Sequence, residues 1–415
     1  MPPPAPRPGR RRRPPQPRTR PSAFESRAQS LAPMTGLAVL GSTGSIGRQT
    51  LEVVRSLPDR FRVVALAAGD NVTLLEEQAR EFRPALFYAG REGEYLRQRA
   101  AAGHLPGRWA EMEEMATHPA ADIVVVATAG AAGVGPTLAA VRAGKAVAIA
   151  NKEVLVMAGH IMTSEARRYR ADLRPIDSEH SAIWQCLWGE DPRSVERIVL
   201  TASGGPFRDL PRQELSRVTA EEALRHPNWQ MGRKVTVDSA TLLNKGLECI
   251  EARWLFGVPL ERIDVLLHRE SIVHSLVEFR DGSVKAQLGV PDMRLPIQCA
   301  LTYPERLPGA AVPRLDLKVT GTLTFGLPDM KQFPCLRLAL EAGRRGGTYP
   351  AVLAAVDEVA VQHFLAGHIA FTDIPHVIDD ALNNHRSIAE PTLEDVMAAD
   401  AWGRAWAEDW VRAKA

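Results

Sequence analysis

Hydrophobic positions first become regular at Gly36, where Leu37-Ala38-Val39-Leu40 forms a short apolar run that ends in glycine. Residues 47–55 then carry apolar side chains at helical spacing, and residues 61–68 are apolar again, so the pattern predicts strand, helix, strand. A later apolar run over 122–127 is followed by the small-residue turn Thr128-Ala129-Gly130, a helix over 136–143 and a strand over 146–150. Strands that read as continuous apolar runs and alternate with helices imply a parallel sheet covered on both faces, an α/β unit of the Rossmann type.

Past residue 177 the pattern changes: 271–279 and 284–288 alternate in the manner of strands and are joined by Asp281-Gly282, which predicts a hairpin within an α+β domain. Residues 303–328 are rich in proline and glycine and read as a linker. Beyond them 335–343, 349–365 and 393–411 have helical patterning, which suggests a small C-terminal helical bundle. The expected division is a tail at 1–33, a nucleotide-binding domain at 34–177, a catalytic domain with a lid at 178–302, a linker at 303–328 and a helical domain at 329–415. There is no internal repeat.

A chain of 415 residues with 45% hydrophobic and 24% charged residues has the balance of a globular protein with more than one compact unit. No apolar run reaches the length of a membrane span, so no membrane partner is expected. The four cysteines, Cys186, Cys249, Cys299 and Cys335, lack any short paired spacing, which argues against a zinc knuckle or a disulfide framework and fits a reducing, cytoplasmic compartment. The net charge of +2 is uneven: residues 1–33 hold eight arginines, ten prolines and the single acid Glu25. Such a segment buries too little to offset ordering and is expected to be disordered. A targeting peptide or a basic arm for nucleic acid or acidic lipid are the alternatives to a passive tail. So many prolines oppose a targeting helix, and Met34 stands directly before the first strand as an expected start of the folded chain.

Gly41-Ser42-Thr43-Gly44-Ser45-Ile46-Gly47 lies between the first strand and the first helix. In that context a glycine loop turns backbone N–H groups and a helix N-terminus toward a pyrophosphate, and a Cβ at the glycines would block close approach. The loop therefore predicts a bound dinucleotide. At the end of the second strand stands Asp70, where an acid would take the ribose 2′-hydroxyl of NAD and a base would suit the 2′-phosphate of NADP; a turn acid there can also be a simple cap.

Asp177-Ser178-Glu179-His180 falls at the junction of the two large domains, where an extended chain would point residues 177 and 179 to one side. Residues 241–248 read as one helix, which places Asn244 and Lys245 on the side of Glu248. Three carboxylates with no His or Cys nearby suit a hard divalent cation rather than zinc, with solvated acids as the alternative. Thr201-Ala202-Ser203-Gly204-Gly205-Pro206 is a small-residue turn whose amides could nest an anion, with Ser239 and Lys245 able to add a hydroxyl and an ammonium. Residues 226–232, His-Pro-Asn-Trp-Gln-Met-Gly, form a polar stretch free of periodicity that could act as a lid, although Trp229 would more ordinarily be a core aromatic.

These pieces, in this order, resemble the 1-deoxy-D-xylulose 5-phosphate reductoisomerases. The resemblance is carried by the glycine loop, Ala150-Asn151-Lys152-Glu153, Asp177 to His180, Ser203 to Phe207, His226 to Gly232 and Asp238 to Glu248, and it continues through Phe333 to Leu336 and Phe371 to Ile374. It implies that Asp177, Glu179 and Glu248 hold a divalent cation, Mg2+ or Mn2+, with Co2+ a further candidate. Lys152, Ser178, Glu179 and Glu248 would meet the oxygens of a sugar phosphate, with Lys152 and Glu179 catalytic. Ser203, His226, Ser239, Asn244 and Lys245 would take its phosphate and hydroxyls. NADPH would lie on Thr43, Gly44, Ser45 and Ile46, with Gly69, Asp70, Asn71, Asn151, Glu153 and Gly232 completing the pocket. Trp229 and Met231 would close over the substrate. The implied reaction is rearrangement of 1-deoxy-D-xylulose 5-phosphate and reduction to 2-C-methyl-D-erythritol 4-phosphate by a cytoplasmic homodimer that binds neither nucleic acid nor membrane.

Two departures from the family stand out. Asp70 replaces a basic or neutral residue, and Ala354-Ala355-Val356-Asp357-Glu358 replaces an asparagine-bearing version, a change expected to bear on packing more than on chemistry. The alternative function is a metal-independent dehydrogenase of the homoserine or semialdehyde type, which shares the fold signals but needs no carboxylate trio.

Overall fold

The computed structural model describes residues 34–229, 231–308 and 312–414, so the expectation for the basic tail lies outside the described residues. Seven strands form a parallel sheet: β1 (Thr35–Leu40), β2 (Phe61–Ala68), β3 (Leu86–Ala89), β4 (Arg108–Trp109), β5 (Ile123–Val126), β6 (Ala146–Ile149) and β7 (Asp172–Pro175). Their order is β4-β3-β2-β1-β5-β6-β7. Side chains alternate between the two faces: Ala38, Leu40, Val124 and Val126 enter one buried cluster, whereas Leu37, Val39, Ile123 and Val125 enter another. Two covered faces explain why these strands read as unbroken apolar runs.

The chain leaves β1 toward β2 on one side and returns to β5 on the other, so the connections diverge at the C-terminal ends of β1 and β5. Such a switch point opens the crevice in which α/β sheets bind ligands. The glycine loop occupies it.

A second sheet has the order β11-β10-β8-β9, from β8 (Val195–Ala202), β9 (Ile263–Leu267), β10 (Val273–Phe279) and β11 (Val284–Leu288). β10 and β11 form the expected antiparallel hairpin, while β8 and β9 are parallel neighbours that local patterning did not reveal. Four long helices follow, Pro334–Arg345, Tyr349–Leu365, Asp373–Asn384 and Leu393–Lys414. Tyr349–Leu365 is buried along most of its circumference and packs against Lys152–Tyr169 as well as Leu393–Lys414. The same apolar cluster runs from these helices through Leu243–Phe256 to the parallel sheet. The expected linker is only partly irregular: it carries a short helix, Leu317–Thr320, and Gly326 forms an antiparallel bridge with Leu267 of β9.

Candidate active site

The glycine loop gets its shape from backbone proximity. Gly41 has φ +95, and a Cβ there would run into the Ala127 carbonyl; one at Gly47 would run into the Gly41 carbonyl and the Ser42 backbone. Gly44 is the N-cap of the Ser45–Ser56 helix and has no side-chain capping bond, which leaves the first-turn N–H groups available to an anion. Ser42 fixes the loop from behind: its hydroxyl donates to Gln78 Oε1 at 2.7 Å and Gln78 Nε2 returns to the Ser42 carbonyl at 3.0 Å.

From this loop a cleft of about 560 Å3 extends to the second sheet. Gly44, Ser45, Ile46, Asn151, Lys152, Glu153 and Gly232 line it near the loop, and Asp177, Ser178, Glu179, Asn244, Lys245 and Glu248 line its middle. Ser203, His226, Trp229, Met231 and Ser239 complete its wall. Thr43, Gly69, Asp70 and Asn71 are not in that wall; the last three are exposed on the rim of the sheet beyond it. Asn71 caps the Val72–Phe82 helix by accepting from Leu74 N–H at 3.1 Å, and Asp70 instead pairs with Arg91. Asn151 is likewise a cap, accepting from Val154 N–H at 3.1 Å while its Nδ2 donates to Thr128 Oγ1 and Gly130 O.

Ligand oxygens of Asp177, Glu179 and Glu248 all lie within 4.8 Å of one another. The means differs from the extended geometry expected. Asp177 is the N-cap of the Ser178–Cys186 helix and Glu179 sits in its first turn, so the helix start brings the two together. Residues 241–248 are not one helix either: Leu242, at φ 62, breaks Arg233–Thr241 from Leu243–Phe256. The new helix still presents Asn244, whose Nδ2 donates to Glu248 Oε1 at 2.6 Å, on the side of the carboxylate.

Two ammonium groups stand among these acids. Lys152 pairs with Asp177 and lies 3.6 Å from Glu248 Oε1; Lys245 lies 2.9 Å from Glu179 Oε1 and also bonds Glu248. Burial raises the tendency of Glu179 to keep a proton, but Lys245, Ser178 and Lys152 overcome it and bring its pKa down to about 2. Burial and the neighbouring Glu179 push Glu248 up. Three carboxylates against two lysines leave a deficit of positive charge, and the buried Asn244 Oδ1 has no hydrogen-bond partner among the described residues. An oxygen-only donor set of this kind fits a hard divalent cation.

A histidine does lie beside the trio, contrary to the expectation from sequence. His180 Nδ1 is 3.7 Å from Asp177 Oδ2 and 3.3 Å from Glu251 Oε2, while Nε2 donates to the Glu248 carbonyl at 2.9 Å. Burial and the charge of Lys152 depress His180 to about 3, and burial lifts Glu251 to about 8, so a neutral imidazole faces a carboxylic acid under the site.

At the far end, Gly204 and Gly205 take φ +86 and +70, shaping the Ser203 turn. His226 Nδ1 accepts from Asn228 and Trp229 N–H at 3.2 and 3.0 Å, so its proton is on Nε2, which reaches Ser203 Oγ at 3.0 Å. Burial and Arg208 lower His226 to about 4, consistent with that neutral tautomer. Asn228 ties the lid segment to the Arg269 carbonyl and Ser271 hydroxyl, both at 2.7 Å, and the Trp229 ring lies 6.1 Å from that of His274. Gln230 lies outside the described residues.

Sequence reasoning missed His274, Met293, Glu358 and Gln362, which also line the cleft. It also missed a cluster beside Glu153: Lys234 Nζ lies 2.8 Å from Asp238, 2.7 Å from Asp357 and 3.5 Å from Glu153. The departure at 354–358 therefore bears on electrostatics as well as packing, because Asp357 within it is buried and pairs with Lys234 behind the cleft.

Sequence profiles agree with this geometry. A profile described as 1-deoxy-D-xylulose 5-phosphate reductoisomerase matches residues 37–159, one for the C-terminal domain of that enzyme matches 173–256, and a DXP reductoisomerase C-terminal domain profile matches 288–406. The chain is 56% identical over 377 residues to the 1-deoxy-D-xylulose 5-phosphate reductoisomerase of Pelotomaculum thermopropionicum, covering 89% of this chain and 97% of that one. The enzyme of the same name from Bacillus cereus (strain Q1) is 52% identical over 370 residues, with 89% and 97% covered. A crystal structure of DOX-P reductoisomerase in complex with NADPH, fosmidomycin and magnesium superposes with a TM-score of 0.86 at 39% identity, covering 91% of this chain and 98% of the other. The Zymomonas mobilis enzyme in complex with NADPH gives 0.84 at 40% identity, over 91% and 99%. On fold, site and identity over nearly its whole described length, the chain belongs to the 1-deoxy-D-xylulose 5-phosphate reductoisomerase family.

Proposed function

We propose that this chain rearranges 1-deoxy-D-xylulose 5-phosphate and reduces the product with NADPH to 2-C-methyl-D-erythritol 4-phosphate, aided by a divalent cation on Asp177, Glu179 and Glu248. The observation that carries the reading is the opening of the glycine loop, the carboxylate trio and the Ser203 turn onto one cleft. Bound there, the cation supplies Lewis-acid polarisation of the substrate carbonyl and NADPH supplies the hydride.

The chain's own residues account for the rest. Lys152, already among the acids, steadies negative charge that develops on the substrate's oxygens. Glu179, held ionised by Lys245, Ser178 and Lys152, is the second catalytic group. Ser203, His226, Ser239, Asn244 and Lys245 hold the phosphate and hydroxyls, with neutral His226 offering a hydrogen bond rather than a charge. Glycine-loop residues 43–46 and the rim at Gly69, Asp70 and Asn71 take the dinucleotide, with Asn151, Glu153 and Gly232 near its reactive end. Trp229 and Met231 exclude water so that the aldehyde formed by rearrangement is reduced before it escapes.

The accompanying division of labour is nucleotide binding at 34–177, catalysis at 178–302 and a helical domain at 329–415, in a cytoplasmic homodimer. Among the described residues, no helix is long and apolar enough to cross a membrane. The homoserine or semialdehyde alternative is not favoured, because the relatives and crystal structures that match nearly the whole chain carry the reductoisomerase name. NADPH oxidation on adding 1-deoxy-D-xylulose 5-phosphate and Mg2+, abolished by a chelator, is the expected result; substrate-dependent oxidation that persists in the chelator would refute the metal-assisted reading.

A further inference from the structure

β2 and β3 are parallel neighbours, so the turns after them leave the sheet side by side. Gly90 N–H donates to the Ala68 carbonyl at 3.0 Å and Arg91 N–H to the Gly69 carbonyl at 3.1 Å, which locks the two turns in register. That register sets the Arg91 guanidinium beside Asp70, Nε 3.1 Å from Oδ1, with side chains 76% and 70% exposed. Among the described residues this pair is the one polar side-chain contact of Arg91, and its closest approach is through Nε. Gly69 has open space where a Cβ would stand, so among the described residues nothing crowds the backbone of this turn.

In a dinucleotide-binding sheet the residue after the second strand faces the adenine ribose. An acid there accepts from a 2′-hydroxyl and repels a 2′-phosphate, whereas a nearby arginine accommodates the phosphate. This chain has both groups on one rim, 21 positions apart in sequence and paired in space. We propose that Arg91 reads the 2′-phosphate of NADPH, and that its pairing with Asp70 cancels the charge that would otherwise make this position select NADH. The inference rests on the reading of the chain as an NADPH-dependent reductoisomerase. The chemistry suits a guanidinium: an exposed ion pair is held weakly and re-aims readily, and the planar fork of N–H donors matches two phosphate oxygens at once. It also reconciles Asp70, an acid that read alone argues for NAD, with NADPH as the cofactor.

Calorimetric titration of the full chain with 2′,5′-ADP and 5′-ADP, and with NADPH and NADH, tests this without turnover. Arg91→Gln is expected to weaken 2′,5′-ADP and NADPH by about tenfold or more, the loss of one charge-assisted contact, and to leave 5′-ADP and NADH within about twofold. Arg91→Lys should recover part of the loss, and Asp70→Asn should tighten 2′,5′-ADP. Unchanged 5′-ADP binding doubles as the control for folding. Equal losses for both nucleotides, or no loss for either, would overturn the role of Arg91, and unchanged or weaker 2′,5′-ADP binding in Asp70→Asn would overturn that of Asp70. If the wild-type chain binds neither 2′,5′-ADP nor NADPH, the cofactor reading itself falls, which is a different failure from a wild type that binds both and an Arg91→Gln variant that matches it.

Discussion

Asp357→Asn isolates the electrostatics of the buried cluster behind the cleft. Asp238 and Asp357 are 1% and 0% exposed and share one cation, Lys234. Burial, followed by the charge of Asp357, pushes Asp238 well above the usual carboxylate range; burial also raises Asp357 against the pull of Lys234, with Glu153 adding to the rise. The two acids are therefore expected to share one proton in the folded chain that both lose when unfolded at neutral pH. A carboxyl whose pKa is higher folded than unfolded contributes stability that is complete below its unfolded pKa and is lost as pH rises through its folded value. One retained proton corresponds to about 1.4 kcal/mol lost per pH unit. For a cooperative unit of roughly 380 residues the unfolding entropy is about 0.8 kcal/mol/K, which converts the slope to about 2 °C per pH unit. Asparagine keeps the shape and an acceptor for Lys234 but removes the titration. Melting temperatures of variant and wild type measured from pH 5.5 to 7.5 should thus diverge in favour of the variant by about 4 °C. Parallel profiles, or a difference that shrinks as pH rises, would refute the shared proton.

Three further outcomes follow from the geometry. Glu248→Gln replaces one of three clustered carboxylates with a neutral amide and should raise the Mg2+ concentration for half-activation by at least about tenfold, the scale of one charge-assisted contact; a wild-type metal titration would remove Glu248 from the coordination shell. Trp229→Ala deletes the ring next to His274 and should lower kcat as well as raise KM, and unchanged steady-state kinetics would end the lid assignment. Gly47→Ala drives a Cβ into the Gly41 carbonyl and the Ser42 backbone, so NADPH affinity measured by fluorescence titration should fall by more than about tenfold, and retained affinity would show that the loop does not hold the phosphates.

Short-range chemistry was legible in the chain itself. The glycine loop could be read from residues 41–47 because strand, turn and helix are contiguous there, and the apolar runs at β1, β2, β5 and β6 could be read because a doubly covered strand excludes polar side chains on both faces. The pairing of Asn244 and Lys245 with Glu248 was likewise legible, since helical spacing alone brings them together. Tertiary structure decided the rest. Only the meeting of the Ser178–Cys186 helix start with the Leu243–Phe256 helix places Asp177 and Glu179 against Glu248, with His180 and Glu251 beneath, and only packing of Tyr349–Leu365 against Lys152–Tyr169 carries Glu358 and Gln362 to the cleft and Asp357 to Lys234. Asp70 read alone argues for NAD; the parallel register of β2 and β3, which no local pattern encodes, sets Arg91 beside it. The physical reason is common to these cases: propensity and periodicity act over a few residues, whereas the charge balance of a buried site depends on groups that the chain brings in from far away in sequence.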